Sequence, residues 1–275
     1  MNVTVVDALM GTGKTEHAIR MLQRIASPYN ESGQRFIYIT PFLAEVDRVK
    51  GAVPESVDPK GNRKTEHLYE LIGNGRNIVS THKLFEYLDP RALGQLGLSD
   101  YVLVVDEVTD WVQPYTGMKL VDVKMLVDTG FITVNPATKR VMWHDMGGTE
   151  YDGKFANFRS LCLQGKIVAT SVRADGVPAM ILWTLPIEVL ELFTETWVLT
   201  YLFEGSDMAA YLKLHDIQYK LMTLDEERNL VDHAEHYDAA RVATRAGLIT
   251  LTEDARLNAI GKKLKGEGVS NCIQI

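Results

Sequence analysis

Along the chain, short apolar runs alternate with longer amphipathic stretches. Val3–Asp7 is alternating and β-branched, which predicts a strand. After Thr15, the apolar residues Ala18, Ile19, Met21, Leu22, Ile25 and Ala26 recur near helical spacing, which predicts a helix. The segment 35–49, RFIYITPFLAEVDRV, reads as strand, Thr40-Pro41, then helix. Residues 76–88, RNIVSTHKLFEYL, repeat the layout as strand, Ser80-Thr81-His82, helix, with a polar excursion and a short helix between the two. Val102–Val105 is an unbroken apolar run, the mark of a strand covered on both faces. Residues 197–214 give strand, polar turn and helix, and 217–224 another short strand.

This alternation predicts an α/β fold, a parallel sheet with helices on both faces. The stretch 112–180 breaks the rhythm. Asn135-Pro136 between two apolar runs predicts a hairpin there, and FANFRSLCLQG a helix. The expected organisation is one lobe from residues 1–111 and 181–260, an insertion over 112–180, and a basic tail over 261–275.

Composition narrows the class. At 275 residues, 46% hydrophobic and 24% charged, the chain has ordinary globular values. No apolar run reaches membrane-spanning length, and the start lacks the basic region of a signal peptide. Cys162 and Cys272 support neither a disulfide framework nor a cysteine zinc site, so the cytoplasm is the expected location. The net charge of −7 argues against an indiscriminate nucleic-acid coat and leaves room for a local basic groove.

The chemistry begins at the first strand. Ala8-x4-Gly13-Lys14-Thr15, between a strand and a helix, fits a phosphate-binding loop with alanine in place of its first glycine. Gly11 and Gly13 let the backbone curl so that its N–H groups face phosphate oxygens. Met10, Gly11, Thr12, Gly13, Lys14 and Thr15 are therefore expected to cradle a triphosphate, with ATP as the ligand. Lys14 reaches the outer phosphates and Thr15 holds Mg²⁺. Asp106, at the end of the buried 102–105 run, is the second expected Mg²⁺ ligand, through water. Glu107 beside it is the expected general base. The acidic pair points to an ATPase rather than a small-molecule kinase. His233 and His236, three apart among acids, read as a solvated helix face.

In order, MGTGKT, YITPFLAEVDRV, NIVSTHKLF, VVDEV and LTYLFEGS resemble the first motor lobe of phage-encoded superfamily 2 helicases, the DEAD/DEAH-like group. The resemblance implies a RecA-like lobe that uses ATP and Mg²⁺ and acts on nucleic acid, single-stranded DNA first. It assigns Gly13, Lys14 and Thr15 to the first helicase motif and Asp106-Glu107 to the second. Thr40-Pro41 and Ser80-Thr81-His82 then touch the nucleic-acid backbone, and Thr200–Ser206 couples hydrolysis to it. It also implies that the 197–202 strand lies between the 2–7 and 101–106 strands. Two features depart from the family. No glutamine-containing, adenine-reading segment precedes the loop, and the motifs of a second lobe, with its arginine finger, do not follow. The expectation is a single-lobe relative that hydrolyses slowly and does not unwind DNA alone, a partner or second copy supplying the missing lobe. The alternative is a nucleotide-binding regulator or decoy that engages a partner protein without unwinding.

Overall fold

The computed structural model describes residues 1–236 of the chain. The lobe's expected residues 237–260 and the basic tail 261–275 lie outside the described residues. β1 (Asn2–Asp7) leads into α1 (Lys14–Ile25), and β2 (Arg35–Thr40) into α2 (Leu43–Ala52) and α3 (Lys64–Gly73). β3 (Ile78–Thr81) runs into the short α4 (His82–Glu86) and α5 (Pro90–Gly94), and β4 (Tyr101–Asp106) follows. The chain then makes an excursion: β5 (Val112–Pro114), α6 (Leu120–Asp128), β6 (Ile132–Val134), β7 (Val141–Trp143), α7 (Ala156–Leu163), β8 (Ile167–Ala169) and β9 (Ile181–Thr184). It returns through α8 (Glu188–Glu191) to β10 (Glu195–Thr200), α9 (Asp207–Leu214), β11 (Tyr219–Leu224), β12 (Leu230–Asp232) and α10 (His233–His236).

The central sheet has seven strands in the order β12-β11-β1-β10-β4-β2-β3, parallel throughout except for the β11–β12 pair. β10 lies between β1 and β4, as the resemblance implies. Its register aligns Val5, Val198, Val105 and Ile39 in one row across four strands. That row faces a core shared with Leu68 and Ile72 of α3, Phe85 of α4 and Leu212 of α9. Alternate residues, among them Val6, Leu199, Val104 and Tyr38, face a second core with Ala18 and Leu22 of α1 and Val46 and Val49 of α2. Both faces are therefore covered, which is why the strands read as continuous apolar runs.

The excursion folds apart from this sheet. β6 and β7 form the expected hairpin, with Asn135 Oδ1 accepting the Ala137 and Thr138 N–H groups at 2.9 and 3.0 Å. β5, β9 and β8 form a three-stranded antiparallel sheet. The sheet of the excursion therefore extends to Thr184, past the expected boundary at 180. Its last strand, ILWT, has the composition of a central-sheet strand but bonds to β5 and β8. Among the described residues, no helix is long and apolar enough to cross a membrane.

The strand order makes a prediction for amide hydrogen exchange. Thr196–Leu199 of β10, bonded to a strand on either side, should exchange slowest, and the β6–β7 hairpin and β12 at the sheet edge should exchange fast. Stronger protection of the hairpin than of β10 would contradict the order.

Candidate functional site

The loop after β1 is shaped by two glycines. Gly11 and Gly13 have φ of 76° and 97°, the left-handed region in which a side chain is strained. Thr12 closes the loop on itself, its N–H and hydroxyl donating to the Leu9 carbonyl at 3.3 and 2.7 Å. Gly13 is the N-cap of α1, and among the described residues no side chain caps that end. The positive end of a twelve-residue helix thus faces the loop, an arrangement suited to an anion. Lys14 is buried, and its Nζ donates to the Ala8 and Leu9 carbonyls at 2.7 and 3.3 Å. Burial pulls its pKa down, while Glu107, Asp106 and Asp7 pull it up. Thr15 is partly buried next to it, and Met10 is exposed on the loop.

The two carboxylates expected to join the loop do so. β10 pairs Asp7 with Thr200 on one side and Leu199 with Asp106 on the other, so β1 and β4 end at the same sheet edge. Asp106 is buried, and the Tyr38 hydroxyl donates to its Oδ2 at 2.5 Å. Burial pushes the Asp106 carboxyl up to about 6; the Tyr38 hydrogen bond opposes this, and Glu107 and Glu45 add repulsion. Burial and the adjacent carboxylate hold the Tyr38 phenol far above its ordinary value. Glu107 is exposed, with a left-handed φ of 66° and its N–H on the Leu199 carbonyl at 2.8 Å. A non-glycine residue in that region costs on the order of 1 kcal/mol, the kind of local strain found at functional sites.

Tyr38 and Asp7 are site residues that the sequence did not reveal. Asp7 accepts the Leu202 and Phe203 N–H groups, both at 2.9 Å, and Ala8 N–H donates to the Thr200 carbonyl at 3.1 Å. Three bonds thus tie the entrance of the loop to the 200–206 segment. An acid closing a buried strand was a visible signal for Asp7. Tyr38 carries the polar tip within FIYI, but its partner emerges only once β2 is known to pair with β4.

The residues expected to touch nucleic acid are neighbours, with Thr40 in register with Thr81 at the ends of β2 and β3. Thr40, Ser80 and His82 are nevertheless buried. Thr81 is partly exposed and caps α4, accepting the Leu84 N–H at 3.3 Å; Pro41 is exposed, as is Phe42 after it. Burial pushes His82 down to about 4, so the ring is neutral at pH 7, although the Ile39 and Asp106 carbonyls favour its cation. Among the described residues, Ser80 Oγ and His82 Nε2 make no hydrogen bond of proper geometry.

Asp106 has a testable signature. Its folded pKa of about 6 lies above the unfolded value of about 3.9. Between these values the native state binds a proton that the unfolded state has released, so stability falls as pH rises from about 4 through about 6. Asp106→Asn removes this titration. Its effect on the urea unfolding free energy should be more favourable at pH 8 than at pH 4 by about 1–3 kcal/mol. The same effect at both pH values would show an unperturbed carboxylate.

No family model matches the chain. A search of curated proteins found the SPbeta prophage-derived uncharacterized protein YonV of Bacillus subtilis (strain 168), 28% identical over 275 residues. The match covers 94% of this chain and 63% of that protein, so the chain spans less than two thirds of the relative's length while resembling it over nearly its own whole length.

Proposed function

We propose that the chain binds ATP with Mg²⁺ at the 8–15 loop and hydrolyses it, as the RecA-like lobe of a superfamily 2 helicase-like protein acting on nucleic acid, single-stranded DNA first. One observation carries the reading. A single sheet edge gathers two left-handed glycines, a helix start that no side chain caps among the described residues, a buried lysine and three carboxylates, Asp7, Asp106 and Glu107, within electrostatic reach of that lysine. The donors fit the metal: the Thr15 hydroxyl and the Asp106 carboxylate are oxygen ligands of the kind Mg²⁺ takes. When bound, Mg²⁺ supplies neutralisation of phosphate charge, with Thr15 and Asp106 holding it.

The remaining roles belong to the chain itself. The loop N–H groups bind phosphate oxygens. Lys14 exchanges the Ala8 and Leu9 carbonyls for a phosphate oxygen. Glu107, exposed next to Asp106, accepts a proton from the attacking water. Asp7 keeps the 200–206 segment attached to the loop, so a change in one is transmitted to the other. The prophage-derived relative is compatible with a phage origin, and we place the activity in phage replication within the host cytoplasm. The inward-facing Thr40, Ser80 and His82 favour a second reading, a nucleotide-binding regulator that meets a partner protein without gripping DNA.

Two variants and one additive test this. Lys14→Ala should weaken binding of a non-hydrolysable ATP analogue by at least about tenfold in calorimetry; unchanged affinity would remove the loop from the site. Glu107→Gln should keep analogue affinity and lower turnover by about 10²–10⁴-fold; turnover at the parent rate would exclude Glu107 as the base. Single-stranded DNA should stimulate turnover if the chain is a motor lobe and leave it unchanged if it is a regulator.

A further inference from the structure

We propose that Arg228, on the turn between β11 and β12, is a nucleotide-binding residue whose guanidinium pairs with the phosphates held by the 8–15 loop. The proposal rests on the triphosphate reading of that loop and extends it to an element that carries none of the recognised motifs.

Contact comes first. A Cβ built on Gly13 would lie 3.0 Å from Arg228 Cδ, 3.1 Å from Nε and 3.5 Å from Cζ. The arginine thus lies directly against the residue that precedes Lys14 and caps α1. Glycine is needed at position 13 for its φ of 97°, and its missing side chain leaves room for the exposed arginine alongside. The positive helix end and the Lys14 ammonium already concentrate positive charge there, so an added guanidinium is unfavourable until an anion arrives. Among the described residues Arg228 forms no ion pair. A guanidinium against the Gly13 turn of the proposed loop is suited to phosphate, because its planar fork matches two phosphate oxygens.

The turn that presents Arg228 is braced. Asp225 accepts the Asn229 backbone N–H on Oδ1 at 2.7 Å and the Asn229 side-chain amide on Oδ2 at 3.1 Å. The Arg228 N–H donates to the Asp225 carbonyl, and the Asp225 N–H to the Asn229 carbonyl, both at 3.1 Å. The Arg228 carbonyl lies close enough to the His17 ring of α1 to favour its cation, although burial outweighs this and lowers the His17 pKa. β11 pairs with β1, the strand that enters the loop. Arg228 itself has a left-handed φ of 66°, where glycine would be unstrained. The fold holds an arginine at a position that costs stability and aligns it with the loop, as expected of a binding residue.

The test uses the full chain, Mg²⁺ and a non-hydrolysable ATP analogue. Arg228→Ala should raise Kd by about tenfold to a hundredfold, and Arg228→Lys should recover part of the loss. Arg228→Gly relieves the backbone strain, so it should raise the melting midpoint by about 2 °C while losing affinity like the alanine variant. That pairing of higher stability with weaker binding excludes a folding defect. Affinity in Arg228→Ala equal to or tighter than that of the parent would overturn the proposal, the arginine then being a bystander or a plug in the site. A parent chain that binds no analogue would overturn the triphosphate reading and this proposal together.

Discussion

The parallel pairing of β1 with β10, from Asn2 opposite Glu195 to Asp7 opposite Thr200, governs the rest of the molecule. It sets β1 and β4 one strand apart with their ends level, so the loop leaving β1 and the acids leaving β4 open onto the same edge. It also brings Thr200–Phe203 against Asp7 and Ala8, joining the loop to the segment that follows β10. If β1 and β4 paired directly, Lys14 and Asp106 would still share an edge, but the 200–206 segment would lose its attachment to the loop.

That edge collects unfavourable features. Lys14 is buried on two backbone carbonyls, and Asp106 is buried enough to resist ionisation. Glu107 and Arg228 both hold left-handed backbones, and α1 begins without a side-chain cap among the described residues. Each feature destabilises the free chain. On the proposed reading, a polyanion with a divalent cation would relieve most of them together: the anion would engage the helix end, Lys14 and Arg228, and the cation would favour ionised Asp106. Concentrated local cost with one shared remedy is the signature of a site whose stability has been traded for binding.

The legible parts of this arrangement were local ones. The strand–loop–helix around Gly11, Gly13 and Lys14 occupies consecutive residues, and the apolar run ending at Asp106 announces a doubly covered strand. Sheet order is not written in local periodicity, and the place of β10 came through the resemblance of five ordered motifs. Nothing local in the sequence marks Tyr38, because its hydrogen bond to Asp106 depends on the β2–β4 pairing. Small hydroxyl residues at strand ends look alike whether they face inward or outward, so the burial of Thr40 and Ser80 could not be read from their spacing. β9 has central-strand composition and belongs to the smaller sheet. Arg228 was invisible because it follows Gly13 by more than two hundred residues and meets it only through the β1–β11 pairing.

The most direct measurement is a crystal structure of the chain with Mg²⁺ and a non-hydrolysable ATP analogue. The account predicts the phosphates seated against the N–H groups of residues 11–15, with Lys14 Nζ moved from the Ala8 and Leu9 carbonyls onto a phosphate oxygen. An analogue bound elsewhere, with Lys14 still donating to the Ala8 carbonyl at 2.7 Å, would contradict it.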